Sequence, residues 1–320
     1  MSSEVIARAV AILRGGGLVA FPTETVYGLG ADAANPDAVR RIFVAKGRPA
    51  DHPVIVHVAD AGQLGAWARE IPDDARRLAA AFWPGPLTLI LKRAPAVSDL
   101  VTGGQDTVGV RIPSHPVAQS LLRAFGGGIA APSANRFGRI SPTTAEDVRA
   151  ELGERVDLVL DGGASEVGIE SAIVDVSGDA PTLLRPGMIG VAQIEAVLGR
   201  PVAAASTSSP RASGMLEAHY APATPLVLID RRALDRLPRN PGDRVAVLAR
   251  HAAPAEMEAA WVEAPADPRG YAHDLYRNLR ALDVGGYSRI LIEAVPDAPE
   301  WAAVRDRLTR AARGAGITAT

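Results

Sequence analysis

The sequence predicts an α/β protein with two domains: a twisted, open mixed sheet, then a smaller open-sheet unit. Over the first two hundred residues, short apolar strand-like runs alternate with stretches of helical periodicity. The composition breaks at PVAAASTSSPRASG (201–214), which is small, polar and poor in large apolar residues, as a linker is. A second alternation begins at PLVLID (225–230). At roughly 100–200 residues per domain, the 320 residues suffice for two cores. The expected division is 1–205, a linker over 206–224, and 225–320.

The elements follow in order. Residues 4–14 carry helical periodicity, and Gly15–Gly17 end that helix by reaching backbone angles closed to other residues. LVAF (18–21) is a short strand. Asn35 and Pro36 read as N-cap and first-turn proline of the next helix. PVIVHV (53–58), LTLIL (87–91), TVGVRI (107–112), GIAA (128–131), VDLVLD (156–161) and SAIVDV (171–176) read as strands, and Arg185 closes another. Helical stretches are expected near 60–80, 115–125 and 143–152, the last opening with Thr143 and Glu146 at capping-box spacing. In the second domain, PLVLID, RVAVLAR (244–250) and RILIEA (289–294) are strands, with helices over 270–283 and near 299–313.

Composition removes whole classes of chemistry. The chain has no cysteine, which excludes disulfides, thiolate nucleophiles, iron–sulfur clusters and cysteine zinc sites. The net charge is −2, and residues 1–205 carry −3, which speaks against a nucleic-acid-coating protein. No apolar run approaches the ~18 residues of a membrane span, and Glu4, Arg8 and Arg14 make the N-terminus unlike a signal peptide, so a cytoplasmic location is expected. Lys46 and Lys92 are the only lysines among 34 cationic residues. Lys92 ends a strand beside Arg93 and reads as a solvated edge. Lys46 stands two residues before Arg48, where the pair suits either a helix C-terminus or a polyphosphate.

The unusual polar residues gather at strand ends of the first domain, the usual ligand crevice of open α/β sheets. FPTETVYGLG (21–30) brings Thr23, Glu24 and Thr25 to the end of a strand, and taken alone it reads as an ordinary turn. His57 lies within an apolar strand, where a hydrogen-bonded core histidine is the ordinary reading. Arg111 is flanked by Val110 and Ile112, so its guanidinium needs a partner, either a substrate carboxylate or one of the chain's own acids. APSANRFGRISPTTAEDV (131–148) offers hydroxyls, an amide and a helix start, an anion cradle. DGGASEVGIESAIVDV…LLRPG (161–187) adds Ser171 and Arg185. No Walker A loop, HExxH, EF-hand loop, GxSxG elbow or strand-following GxGxxG is present. A pocket rich in hydroxyls and guanidiniums and poor in bases suits phosphate or adenylyl transfer, where positioning and charge neutralisation do most of the work.

In order, FPTETVYGLG, KGRP, HPVIVHV, WPGPLTLIL, VGVRIP, APSAN and LLRPG resemble the YrdC-like family in its longer two-domain form, the threonylcarbamoyl-AMP synthases. The resemblance covers about residues 5–200, and HYAP (219–222) with the domain after it resembles the family's C-terminal extension, a small Rossmann-like domain. It implies a cytoplasmic nucleotidyltransferase that makes threonylcarbamoyl-AMP and pyrophosphate from L-threonine, bicarbonate or CO2, and ATP, with Mg2+ accompanying ATP and no metal held by the protein itself. The product would feed tRNA threonylcarbamoyladenosine formation through downstream transfer proteins, with at most a weak tRNA contact and none with a membrane.

By the same resemblance, the Lys-x-Arg and Ser-x-Asn signatures fall on Lys46, Arg48, Ser133 and Asn135 as catalytic residues. Thr25, His57, Arg111, Ala131 and Ser171 would hold threonine. Arg48, His52, Thr107, Ser133, Ser141, Arg185 and Tyr220 would hold ATP, with His52 standing where relatives often have asparagine. Tyr220 would make the linker a lid. The rival reading is a binding module for structured RNA, with Arg48, Arg111, Arg136, Arg139 and Arg185 lining a basic groove.

Overall fold

The computed structural model describes residues 1–234, 236, 244–254 and 259–316. It divides into two compact units: Met1–Phe137 with Pro142–Met215, and Gly138–Ser141 with the chain from Leu216 on.

The first unit opens with α1 (Ser3–Arg14), capped by Ser2, whose side chain accepts from the Val5 N–H. β1 (Val19–Phe21) pairs antiparallel with β2 (Gly28–Asp32). GLGAD carries no strand signal because two of its five residues are glycine. Yet a Cβ at Gly30 would come within 2.8 Å of Ile129 and Phe21, so the close packing of this strand excludes a side chain there. α2 (Pro36–Lys46) starts as expected on Asn35, which accepts from the Asp37 and Ala38 N–H groups, and stops at Gly47 with φ +62°.

β3 (Ile55–His57) follows. The helix expected over 60–80 is broken into α3 (Leu64–Trp67) and α4 (Asp73–Phe82), because Pro72 has no N–H to continue a helix and instead precedes α4. Then come β4 (Leu87–Lys92), α5 (Asp99–Thr102), β5 (Thr107–Arg111), α6 (Pro116–Phe125) and β6 (Ile129–Ala130). α7 (Ala145–Leu152) has its capping box one residue later than the sequence suggests. Thr144 accepts from Asp147 N–H at 3.2 Å and Asp147 accepts from Thr144 N–H at 3.1 Å. β7 (Leu158–Val159), β8 (Ala172–Asp175), β9 (Thr182–Arg185), α8 (Val191–Leu198) and β10 (Ala203–Ala204) complete the unit.

The strands form one mixed sheet in the order β10-β9-β8-β4-β5-β3-β6-β2-β1-β7. β3 and β5 run parallel with Ile55 opposite Gly109 and His57 opposite Arg111. Side chains alternate across a strand, so Val56, Val108 and Val110 enter the main core while Ile55, His57, Thr107 and Arg111 share the other face. That second face carries a small apolar cluster of Ile55, Ile90, Ile173 and Leu184, against which Ala212 and Met215 pack. Part of the stretch that composition marks as a linker thus lies on the sheet of the first unit.

The second unit is a four-stranded parallel sheet in the order β11-β14-β12-β13, with β11 (Leu226–Ile229), β12 (Val245–Ala249), β13 (Ala260–Glu263) and β14 (Arg289–Glu293). α9 (Arg231–Leu234), α10 (Pro268–Asp283) and α11 (Ala302–Gly314) complete it. The sequence announces each of these strands except β13, a half-buried edge of only four residues, AWVE.

Candidate active site

Arg111 ends β5 on the second sheet face and is 4% exposed. Its Nη1 donates to Thr25 Oγ1 at 2.8 Å, its Nε to the Gly85 carbonyl at 3.3 Å, and its Nη2 lies 2.7 Å from Glu24 Oε1. Of the two partners the sequence left open for this guanidinium, the chain's own acid is thus present. Glu24 Oε2 also accepts from the Ser114 N–H at 3.1 Å, so the carboxylate is fixed from two sides. A charge buried this deeply is tolerated only with such pairing.

Thr23 and Thr25 share a 2.8 Å hydroxyl–hydroxyl bond, and Thr23 donates onward to the Val26 carbonyl at 2.7 Å, which locks the PTET turn. His57 lies opposite Arg111 and is buried. Burial, with the Arg111 charge adding to it, pushes its pKa down to about 3, so the imidazole is neutral at physiological pH. The Ala131 N–H bonds the Ile55 carbonyl at 2.9 Å, which sets the 131–135 loop beside these groups.

Ser171 stands just before β8, wholly buried. Its hydroxyl bonds the Thr88 hydroxyl at 2.8 Å and accepts from Arg185 Nη2 at 3.2 Å, while Arg185 Nε donates to the Ser171 carbonyl at 3.0 Å. Arg185 Nη1 reaches the Ser213 carbonyl at 2.7 Å. From the other side, Arg48 Nη2 donates to the Pro53 carbonyl at 2.9 Å and to Ser213 Oγ at 3.4 Å. Two guanidiniums, Arg48 from the loop after α2 and Arg185 from the end of β9, therefore converge on one residue of the 206–224 stretch. Arg211–Ser213 also line the space over Ile55, Ile90, Thr107, Gly109 and Ile173, leaving a residual cavity of about 10 Å3.

Lys46 is buried at the end of α2, and its Nζ donates to the Ser133 and Asn135 carbonyls at 2.5 Å each. Burial first, and the Arg48 charge second, hold its pKa well below the usual lysine value. The ammonium is a brace for the Ser-x-Asn loop, whose Phe137 N–H returns a bond to the Lys46 carbonyl at 2.8 Å. Asn135 donates through Nδ2 to the Arg136 carbonyl at 2.7 Å. His52 and Arg48 both face the Phe137 ring, at 5.3 and 5.9 Å, and burial followed by the Arg48 charge lowers the His52 pKa.

Ser141 and Tyr220 fall in the second unit. Ser141 is fully buried, and Tyr220, at φ +61°, stacks on Tyr276 at 5.8 Å with Arg307 5.2 Å from its ring centroid. Three residues of this arrangement lie outside the sequence-derived set. Glu24 is hidden in a segment that reads as a turn. Thr88 is a lone polar position in LTLIL, whose alternation could have flagged it. Ser213 sits in a stretch that composition calls inert. The basic-groove reading finds no support here, since Arg48, Arg111 and Arg185 are 8, 4 and 3% exposed and cannot form a surface track.

Among the described residues no group of three or more His, Asp or Glu could hold a metal ion, and no helix is long and apolar enough to cross a membrane. The fold defines a mixed-sheet α/β protein with buried arginines, hydroxyls and a neutral imidazole gathered at its strand ends. Residues 11–187 match the Sua5/YciO/YrdC family model, described as telomere recombination, and residues 189–313 match the model described as threonylcarbamoyl-AMP synthase, C-terminal domain. The threonylcarbamoyl-AMP synthase of Bacillus subtilis is 43% identical over 97% of this chain and 93% of its own length. That of Pyrococcus abyssi is 40% identical over 95% and 92%. The crystal structure of P. abyssi Sua5 complexed with L-threonine superposes with a TM-score of 0.90 at 37% identity, covering 98% of this chain and 96% of that one. The chain belongs to the Sua5/YrdC family of threonylcarbamoyl-AMP synthases.

Proposed function

We propose that this protein condenses L-threonine, bicarbonate or CO2, and ATP into threonylcarbamoyl-AMP, releasing pyrophosphate. The observation that carries the reading is the pairing of a buried, hydroxyl-lined Arg111 with two further arginines, Arg48 and Arg185, converging on Ser213. The first suits an amino-acid carboxylate and the second a polyphosphate. The relative crystallised with L-threonine, matched along nearly the whole chain, supports it.

In this reading Arg111, held by Glu24, takes the threonine carboxylate, while Thr25, neutral His57, Ser171 and the Ala131 backbone face the rest of the amino acid. The carbamate formed on the threonine nitrogen attacks the α-phosphorus through an oxygen, the bond to the pyrophosphate oxygen breaks, and pyrophosphate leaves. Arg48 and Arg185 take up the developing charge, and Lys46 with Asn135 holds the loop that presents Ser133. No enzyme nucleophile is needed. Mg2+ enters as part of the ATP substrate. His52 and Thr107 border the nucleotide in this scheme, and Ser141 and Tyr220 are assigned to it by resemblance alone.

A cytoplasmic place of action fits an intermediate destined for tRNA, to be consumed by proteins that transfer the threonylcarbamoyl group. The test is pyrophosphate release with ATP, Mg2+ and bicarbonate, with and without L-threonine and with serine as a control. Strict dependence on threonine and bicarbonate is expected; turnover indifferent to threonine would overturn the reading.

A further inference from the structure

α4, α6 and the turn after β3 enclose a cleft of about 530 Å3 within the first unit, and none of its lining residues belongs to the candidate active site. Its walls are apolar, with Leu64, Ile71, Ala79, Trp83 and Ile112. Gln119, from α6, lines it while only 8% exposed. The Gln119 amide is half satisfied: Nε2 donates to the Pro113 carbonyl at 2.7 Å, whereas Oε1 is buried without a hydrogen-bond partner. A buried acceptor in that state costs stability until a donor reaches it.

Three charged side chains also line the cleft: Asp60, Arg76 and Arg123. Asp60 is committed to its own turn, accepting from the Gly62 N–H at 2.8 Å. Arg76 and Arg123 are exposed, and among the described residues neither guanidinium has an ion-pair or hydrogen-bond partner. Two guanidiniums against the single Asp60 carboxylate leave the lining net positive.

We propose that this cleft is a second ligand site, for a small carboxylate with an apolar, ring-sized body and one N–H or O–H donor. The carboxylate is drawn to Arg76 and Arg123, whose planar forks match its oxygens. The body lies against Trp83, Ile71 and Ile112, and the donor satisfies Gln119 Oε1. An apolar pocket with a few placed polar groups is the ordinary form of a small-molecule site.

The test is calorimetric titration of the full-length protein with three probes. Indole-3-acetate carries all three features, naphthalene-1-acetate lacks the donor, and indole-3-ethanol lacks the charge. Saturable one-to-one binding of indole-3-acetate is expected, with each control about tenfold weaker or worse. Arg76→Ala with Arg123→Ala, both surface changes, should weaken it at least about tenfold while leaving the Tm and threonine-dependent turnover as they were. Gln119→Leu should abolish the preference for the indole over the naphthalene acid. Failure of both acids to bind saturably, or equal affinity in the double variant, would overturn the proposal. Because binding is read directly, it stands or falls apart from the synthase reading.

Discussion

Gln105 is the residue through which the seating of the 211–213 segment can be measured without touching any group assigned to substrate. Its side chain clamps Arg211 by both backbone groups: Oε1 accepts from the Arg211 N–H at 2.7 Å, and Nε2 donates to the Arg211 carbonyl at 3.0 Å. Once seated, Ser213 occupies Arg185 Nη1 at 2.7 Å and Arg48 Nη2 at 3.4 Å, the two guanidiniums proposed for phosphate. A nucleotide must therefore compete with the chain's own segment for them. Gln105→Ala removes two half-exposed hydrogen bonds worth about 0.5–1 kcal/mol each. The equilibrium between seated and released segment should shift by about 1–2 kcal/mol, or roughly 5- to 30-fold. Since apparent affinity scales with the fraction of protein that can bind, the Kd for a non-hydrolysable ATP analogue with Mg2+ should fall by up to that factor. Titration calorimetry of the variant against the parent reads it directly. Unchanged or weaker binding would mean that the seated segment does not compete with the nucleotide, and the reasoning would be wrong.

Arg48→Ala should lower the rate of threonine-dependent pyrophosphate release by about a hundred- to a thousandfold, the usual cost of removing one charge-stabilising donor at a reacting centre; an unchanged rate would remove Arg48 from the phosphate. The His57 pKa, about 3 in the fold, lies below its ordinary value of 6.5. The folded state therefore binds fewer protons than the unfolded chain between those values, and stability falls as pH drops through that window. Urea titrations from pH 6.5 to pH 5 should show His57→Gln losing about 1–2 kcal/mol less than the parent, whereas parallel curves would contradict a neutral buried imidazole. At Gly187 a Cβ would lie 2.2 Å from the Ala172 backbone nitrogen, beside Ser171. Gly187→Ala should cost about 3 kcal/mol or more and lower the Tm by roughly 6–12 °C, and an unaltered melting curve would refute that clash.

How much of this was legible in the sequence depended on whether a feature is local. The N-cap of α2 at Asn35 and Pro36 and the stop at Gly47 follow from backbone chemistry within a few residues, and so do most strands. β2 was not legible, because the packing that forces glycine at position 30 comes from Phe21 and Ile129, brought there by the sheet. The split of the 60–80 helix was readable at Pro72, but apolar periodicity continues on both sides of it and masks the break. The site divides in the same way. Motif spacing marked Lys46, Arg48 and Arg111, whereas Glu24 and Ser213 gain their roles from partners 87 residues away, at Arg111, or 165 and 28 residues away, at Arg48 and Arg185.

Lys46 shows what such tertiary context adds to a motif. Read along the chain, it is one of two cations suited either to a helix C-terminus or to a polyphosphate. In the fold, its ammonium is tied at 2.5 Å to both the Ser133 and Asn135 carbonyls. Two signatures that stand 87 residues apart, Lys-x-Arg and Ser-x-Asn, are thus one structural unit. A compact ammonium meets both carbonyls from a single nitrogen, whereas a guanidinium must spread its donors over a broader planar fork. That gives a physical reason why this position holds one of only two lysines in a chain that otherwise uses arginine for its cations.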